Sequence, residues 1–180
     1  MTGRVVAVCR SPGHSFSKPV VEAVDLVAGL GVAGDCHAGA TVQHRSRLAT
    51  EATRPNLRQV HLIHAELIET LKAQGFRVPP GAMGENITTF GVALLDLPRG
   101  TRLRLGAEAE VTITGLRTPC RQLDDFQAGL MEAVIDRTQR GARSFLVGVM
   151  AEASRSGRIR PGDAIEIVLP PKPHKPLGRV

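Results

Sequence analysis

The chain has no tryptophan and no tyrosine, and phenylalanine occurs only five times in 180 residues. A core for a chain of this length must therefore be built from Val, Leu, Ile and Ala. The same lack removes the stacking platform that nucleic acid binding uses, so nucleic acid is not expected as a partner despite a formal net charge of +6. Cysteine is scarce too. Cys9, Cys36 and Cys120 form an odd set with no Cys-x-x-Cys pair, which argues against a disulfide scaffold and a closed structural zinc site and suits a reducing compartment. No apolar run approaches the ~20 residues of a membrane span, and the start of the chain has no charged-then-apolar leader. The expectation is a soluble, cytoplasmic protein with no membrane partner.

Glycine and proline are abundant, at 19 and 12 residues, which points to many turns and a β-rich chain. Short apolar or alternating stretches recur between those turns: Arg4 to Arg10, Val20 to Leu30, Ile87 to Phe90, Arg102 to Leu105, Glu108 to Thr114, Ser144 to Ala153 and Ala164 to Leu169. Gln59 to Ile63 begins as strand and runs into a helix ending near Ala73, with Leu62, Ile63, Leu67, Ile68 and Leu71 on its buried side and Gly75 as its stop. The pattern predicts a mainly β fold, a closed or nearly closed β-barrel with a few inserted α-helices. It places one domain over 1–169 and a basic, Pro-rich, solvated tail over 170–180.

The stretch from Gly115 to Asp125 holds the strongest chemistry. A strand enters it, and Leu123, Phe126, Leu130, Met131 and Val134 leave it at helical spacing, predicting one helix that Asp124 or Asp125 caps and that ends near Arg137. Pro119 stiffens the bend and extends Thr118. Cys120 sits on that bend between Arg117 and Arg121, and two guanidiniums beside a helix start favour a thiolate. The alternative is a Cys acting as a small buried hydrophobe.

Three other stretches carry polar chemistry. Gly34-Asp35-Cys36-His37-Ala38-Gly39 is a Gly-bounded loop whose Asp35, Cys36 and His37, with His44, are metal-ligand types. His61 and His64 would lie on one face of the following helix, although the spacing matches no established zinc pattern. Residues 41–58 have no apolar period and are expected to be a long loop, with one or two of Arg45, Arg47, Arg54 and Arg58 facing an anion and the rest solvated. In Gly84-Glu85-Asn86 the side chains either cap a turn or line a pocket, since Asn both donates and accepts.

Taken in order, Gly34-Asp35-x-His37-x-Gly39, Arg58-Gln59-Val60, Gly84-Glu85-Asn86-Ile87-Thr88, Leu97 to Leu103, Gly106, Arg117-x-Pro119-Cys120 and Gly162-Asp163 resemble the MOSC domain, named for the C-terminal domain of molybdenum-cofactor sulfurase, over roughly Gly3 to Leu169. The resemblance implies a PK-type β-barrel and a stand-alone bacterial type of protein. It implies molybdenum cofactor (molybdopterin) binding with the Cys120 thiolate on molybdenum, and no pyridoxal phosphate module in this chain. Gly84, Arg45 and Arg117 are expected at the cofactor phosphate, Asn86 and Thr118 at the pterin edge, and Glu85 and His37 in the same site. The implied activity is reduction of small N-hydroxylated compounds such as hydroxylaminopurine-type bases, with electrons from a separate protein. The alternatives are a persulfide carrier fed by a sulfur-donor protein, a cofactor-delivery module without turnover, and a small metal-binding barrel that uses the histidines.

Overall fold

The structure, a computed structural model, describes residues 3–136 and 144–180. Chain order runs β1 (Gly3–Cys9), β2 (Val20–Val21), β3 (Val24–Val27), β4 (Gly31–Val32), α1 (Arg45–Glu51), β5 (Val60–His64), α2 (Ala65–Ala73) and β6 (Ile87–Phe90). After a 3-10 turn at Leu94–Asp96 come β7 (Arg102–Leu105), β8 (Ala109–Leu116), α3 (Gln122–Phe126), α4 (Leu130–Ala133), β9 (Ile135–Asp136) and β10 (Ser144–Phe145). The chain closes with β11 (Val149–Arg155), β12 (Gly157–Ile159) and β13 (Ala164–Val168).

The main sheet runs β13-β7-β8-β11-β5-β6-β1-β2, and β13 also pairs with β1, so the strands from β13 round to β1 close a barrel. Full closure removes the sheet's exposed edges. Every barrel pairing is antiparallel except β5 with β6, and that parallel step is the one bridged by a helix, α2. Inside lie the side chains that alternate inward along the strands, among them Val5, Leu62, Ile87, Leu103, Val111, Val149 and Ile165. The expectation of a mainly β, closed barrel with few and short helices is met.

A second apolar cluster lies outside the barrel, where α2, α3 and α4 pack with Met83 and Val147 against Ile63. It buries Leu123 of α3 and Met83, the residue before Gly84, in one cluster. The Cys120 bend and the Gly84 turn are thus anchored to a common block. Gly148 stands at the same junction with φ +84, and a Cβ there would overlap the Leu62 carbonyl oxygen. Gly148→Ala is expected to destabilise the protein by more than about 2 kcal/mol, read as a shifted urea midpoint, because it adds strain at a positive φ to an overlap with fixed backbone.

Three expectations are corrected here. The segment after Cys120 is two short helices rather than one, because Gly129 takes a left-handed φ of +83 between them. Arg121, not Asp124 or Asp125, is the N-cap of α3; Asp124 instead accepts the Met131 backbone N–H at 2.9 Å. Residues 45–51 form a helix where a loop was expected, and Glu51 ties it with Arg47 at 3.5 Å and Arg54 at 3.2 Å, pairs that helical spacing allows. The reading of that segment leaned on apolar periodicity, which a short polar helix does not need. The expected end near Arg137 of the helix after Cys120 lies outside the described residues.

Residues 170–180 are mostly exposed, yet they lie along the barrel. The Leu116 N–H donates to Gly178 O at 2.7 Å, the Arg99 N–H to Lys175 O at 2.9 Å, and the Arg179 guanidinium sits 4.5 Å above the Phe145 ring. Among the described residues, no helix is long and apolar enough to cross a membrane.

Candidate functional site

Four segments distant in sequence meet at one cavity of about 550 Å³: the 14–18 loop, the 37–58 region, the Gly84 turn with Asn86, and the 117–122 bend. The frame beneath it is polar and buried. Asp35, with a fully buried side chain, accepts from Lys18 Nζ at 2.9 Å, from the Ser11 N–H at 3.2 Å, from the His37 N–H at 3.0 Å and from Asn86 Nδ2 at 3.0 Å. Burial alone would raise its pKa; the bonds from His37 and the Lys18 charge outweigh that and hold it well below the usual carboxylate range. Lys18 is almost as buried as its partner.

Asn86 is the second post. Its Nδ2 also donates to Cys9 O at 3.1 Å, and its Oδ1 accepts the His61 N–H at 3.2 Å, so one side chain fastens β1, β5 and the 34–39 loop. Glu85 points the other way. It is fully buried, and its carboxylate accepts the N–H groups of Gly81 at 2.6 Å and Met83 at 3.2 Å, bracing the turn that presents Gly84. Burial raises its pKa, with those backbone donors working against it. Of the two readings of the Glu-Asn pair, Glu85 follows the turn-capping one, whereas Asn86 both bolts the frame and reaches the cavity wall.

Cys120 is half-buried on the wall, its thiol 3.5 Å from Gln122 Oε1 and 3.9 Å from Arg117 Nη2. Arg121, the other expected neighbour, is mostly exposed and reaches Asp125 at 3.5 Å instead. Arg117 comes off the end of β8 with its backbone N–H on Gly148 O at 3.1 Å. Its Nη1 and the Nε of Arg58 are buried with no hydrogen-bond partner among the described residues. Arg47 stands close enough to depress Arg58 further: burial first, then Arg47 and Arg117, push the Arg58 pKa down to about 10. Burial likewise lowers Arg117, which the neighbouring Cys120 and Glu85 partly offset. Arg58 and Arg117 each keep a buried N–H unsatisfied by the described residues, and with Arg47 beside them this crowding of positive charge is a cradle that suits an anion, which would supply the missing acceptors. The donor chemistry and the thiol beside it fit a phosphate-bearing cofactor with a soft metal.

The remaining expected residues fall into place around this centre. Thr118 and Gly84 line the cavity, and Arg45 is an exposed residue of its wall. Of the arginines in 41–58, Arg47 and Arg58 approach the cradle while Arg54 is solvated on Glu51. His37 lies on the wall with its ring 5.2 Å from that of His44, whose pKa burial and the surrounding cations lower to about 4. His61 and His64 do not share a helix face: they sit on β5, where residues three apart point to opposite sides. His61 is buried against Val147 O at 2.8 Å, and His64 lines a separate surface pocket. Lys18 and His14 were not singled out from the sequence. Both come from the polar loop before Pro19, and a buried lysine has no local signature when its partner is seventeen positions away.

The MOSC domain profile matches residues 34–166. Among solved structures, the YuaD protein from Bacillus subtilis superposes with a TM-score of 0.75 at 26% identity, covering 93% of this chain and 96% of that one. YiiM from Geobacillus stearothermophilus gives a TM-score of 0.63 at 19% identity, with 92% of this chain and 75% of that chain covered. YiiM from Escherichia coli gives 0.60 at 19%, with 96% and 73% covered. These last two are similar in fold. No curated protein matches the sequence.

Proposed function

The chain belongs to the MOSC domain family, and from that premise we propose that it binds the molybdenum cofactor at the Cys120 cavity and reduces small N-hydroxylated compounds. The observation that carries the reading is the pairing of a half-buried free thiol with buried guanidinium nitrogens that have no partner among the described residues. Cys120 is the metal ligand, since a thiolate suits a soft metal centre. Arg117 and Arg58, with Arg47 behind them, hold the cofactor phosphate; Arg45 adds charge at the wall. Thr118 and the backbone at Gly84 meet the pterin edge, and Asn86 keeps the wall in place beneath. Glu85 acts from behind, by shaping the Gly84 turn, and His37 stands at the opposite wall.

When bound, the cofactor supplies two-electron redox chemistry at a metal atom. The chain's own residues bind and orient it and neutralise its phosphate, with the half-buried Cys120 thiol presented from the cavity wall. Reducing an N–OH bond to N–H consumes two electrons and two protons and releases water. The electrons come from a separate donor protein.

The test is elemental analysis of protein made in a host that produces the cofactor, alongside Cys120→Ala, with reduction of an N-hydroxylated base by an artificial donor. Molybdenum near one atom per chain that is lost in the variant, together with turnover, supports the reading. Equal molybdenum in both proteins overturns Cys120 as ligand. No molybdenum and a one-sulfur mass gain on Cys120 after incubation with a sulfur donor would make the protein a persulfide carrier.

A further inference from the structure

The loop over 34–39 meets the loop over 11–18 beside the cavity, and the proposed function gives neither Cys36 nor His14 a role. One donor atom from each of His14, Cys36 and His37 lies within 4.8 Å of the other two. Cys36 Sγ is 3.2 Å from His37 Nδ1. Zinc–sulfur bonds of ~2.3 Å and zinc–nitrogen bonds of ~2.0–2.1 Å place neighbouring tetrahedral donors roughly 3.5 Å apart, so this pair already has nearly the separation of two ligands on one ion. The His14 and His37 rings meet edge-on with centroids 5.6 Å apart.

The cluster is built on a rigid base. The Cys36 N–H donates to Ser11 O at 2.8 Å, and the Ser11 N–H donates to Asp35 Oδ2. Asp35 in turn holds the His37 N–H and is locked by Lys18. The two loops that bring the donors are therefore fastened to each other through buried bonds, and gathering the donors on one ion asks for side-chain adjustment at His14 and at His37, whose Nδ1 also lies 3.3 Å from Asp35 Oδ1. Such support of the ligand-bearing loops is what separates a metal site from a chance cluster.

We propose that His14, Cys36 and His37 form a zinc site, distinct from the Cys120 centre, at the wall of the same cavity. Two imidazoles and a thiolate select a borderline-soft ion over magnesium or calcium, which demand oxygen donors. Three protein donors leave one position for water or a substrate group, as in zinc sites that act as Lewis acids. His14 and His37 line the cavity, so an anionic or hydroxyl-bearing substrate within it would come within reach of the ion.

The experiment strips the full-length protein with a chelator, then titrates zinc by equilibrium dialysis and cobalt(II) by absorption. One ion per chain is expected, with a near-ultraviolet thiolate-to-cobalt charge-transfer band. Cys36→Ser should abolish the band, His14→Gln should weaken zinc at least tenfold, and Cys120→Ala should leave band and affinity unchanged. Zinc should also raise the melting temperature of the wild type but not of His14→Gln, which keeps the readout valid if Cys36→Ser folds poorly. Absence of saturable binding overturns the proposal, as does a band that survives Cys36→Ser and vanishes in Cys120→Ala.

Discussion

Asp35→Ala should cost the protein about 3–5 kcal/mol of stability, read as a lowered urea midpoint at unchanged slope. The substitution removes the acceptor for Lys18, whose side chain is only 2% exposed, and leaves its charge buried without a partner carboxylate. It also takes away one of the two acceptors of the Asn86 amide nitrogen, which keeps Cys9 O, and strands the Ser11 and His37 backbone N–H groups. Asp35→Asn should be nearly as damaging, since it keeps the shape but leaves the Lys18 charge uncompensated. A loss below about 1 kcal/mol in both variants would mean that the pair is not the frame of the site. The pH dependence follows from the same carboxylate. Its folded pKa is held below its unfolded value of about 3.9, so its contribution is fully present above that value and is lost as the pH falls through the folded pKa.

Arg58→Gln should act in the opposite direction on stability. Its Nε is buried without an acceptor among the described residues, and burial with the Arg47 and Arg117 charges outweighs the help of Glu51, so the ligand-free protein carries a poorly compensated charge there. Removing that charge is expected to stabilise the free protein by about 1–2 kcal/mol. The same change should weaken binding of a phosphate-bearing ligand by at least tenfold, because it deletes one charge-assisted donor from the cradle. Thermal melts with and without inorganic phosphate measure both effects: a higher starting melting temperature and a smaller rise with phosphate. A variant that melts lower than wild type would show Arg58 to be a structural residue. The expected trade, stability gained as binding falls, is what distinguishes a residue kept for its ligand.

Much of this was legible in the chain itself. Strand alternation at Arg102 to Leu105 and Glu108 to Thr114, with turns at Gly100 and Gly106, marks a barrel wall directly, because burial on one face writes a period of two into the sequence. The bend at Pro119 and Cys120 was legible for the same kind of local reason. The α1 helix was not, since Glu51 and its arginines stabilise it without an apolar stripe. Pairings across long separations were also silent. Lys18 with Asp35, Asn86 with Cys9 and Asp35, and Arg58 with Arg117 exist only because the barrel brings their strands together, and no single segment encodes its partner. Histidines 61 and 64 misled because a helical spacing was assumed where the chain is still strand.

The pairing of β1 with β13, Gly3 opposite Ile165, has a consequence for synthesis. The barrel's two seam strands come from opposite ends of the fold, so a growing chain cannot close it until Ala164–Val168 has left the ribosome. Until then β1 lacks its β13 partner, and any product that already contains β7 but not β13 presents both unpaired edges to its neighbours. Translation that stalls within β11 or β12 should therefore yield insoluble fragments, whereas the Cys120 cavity, built from segments already made, waits only on the seam.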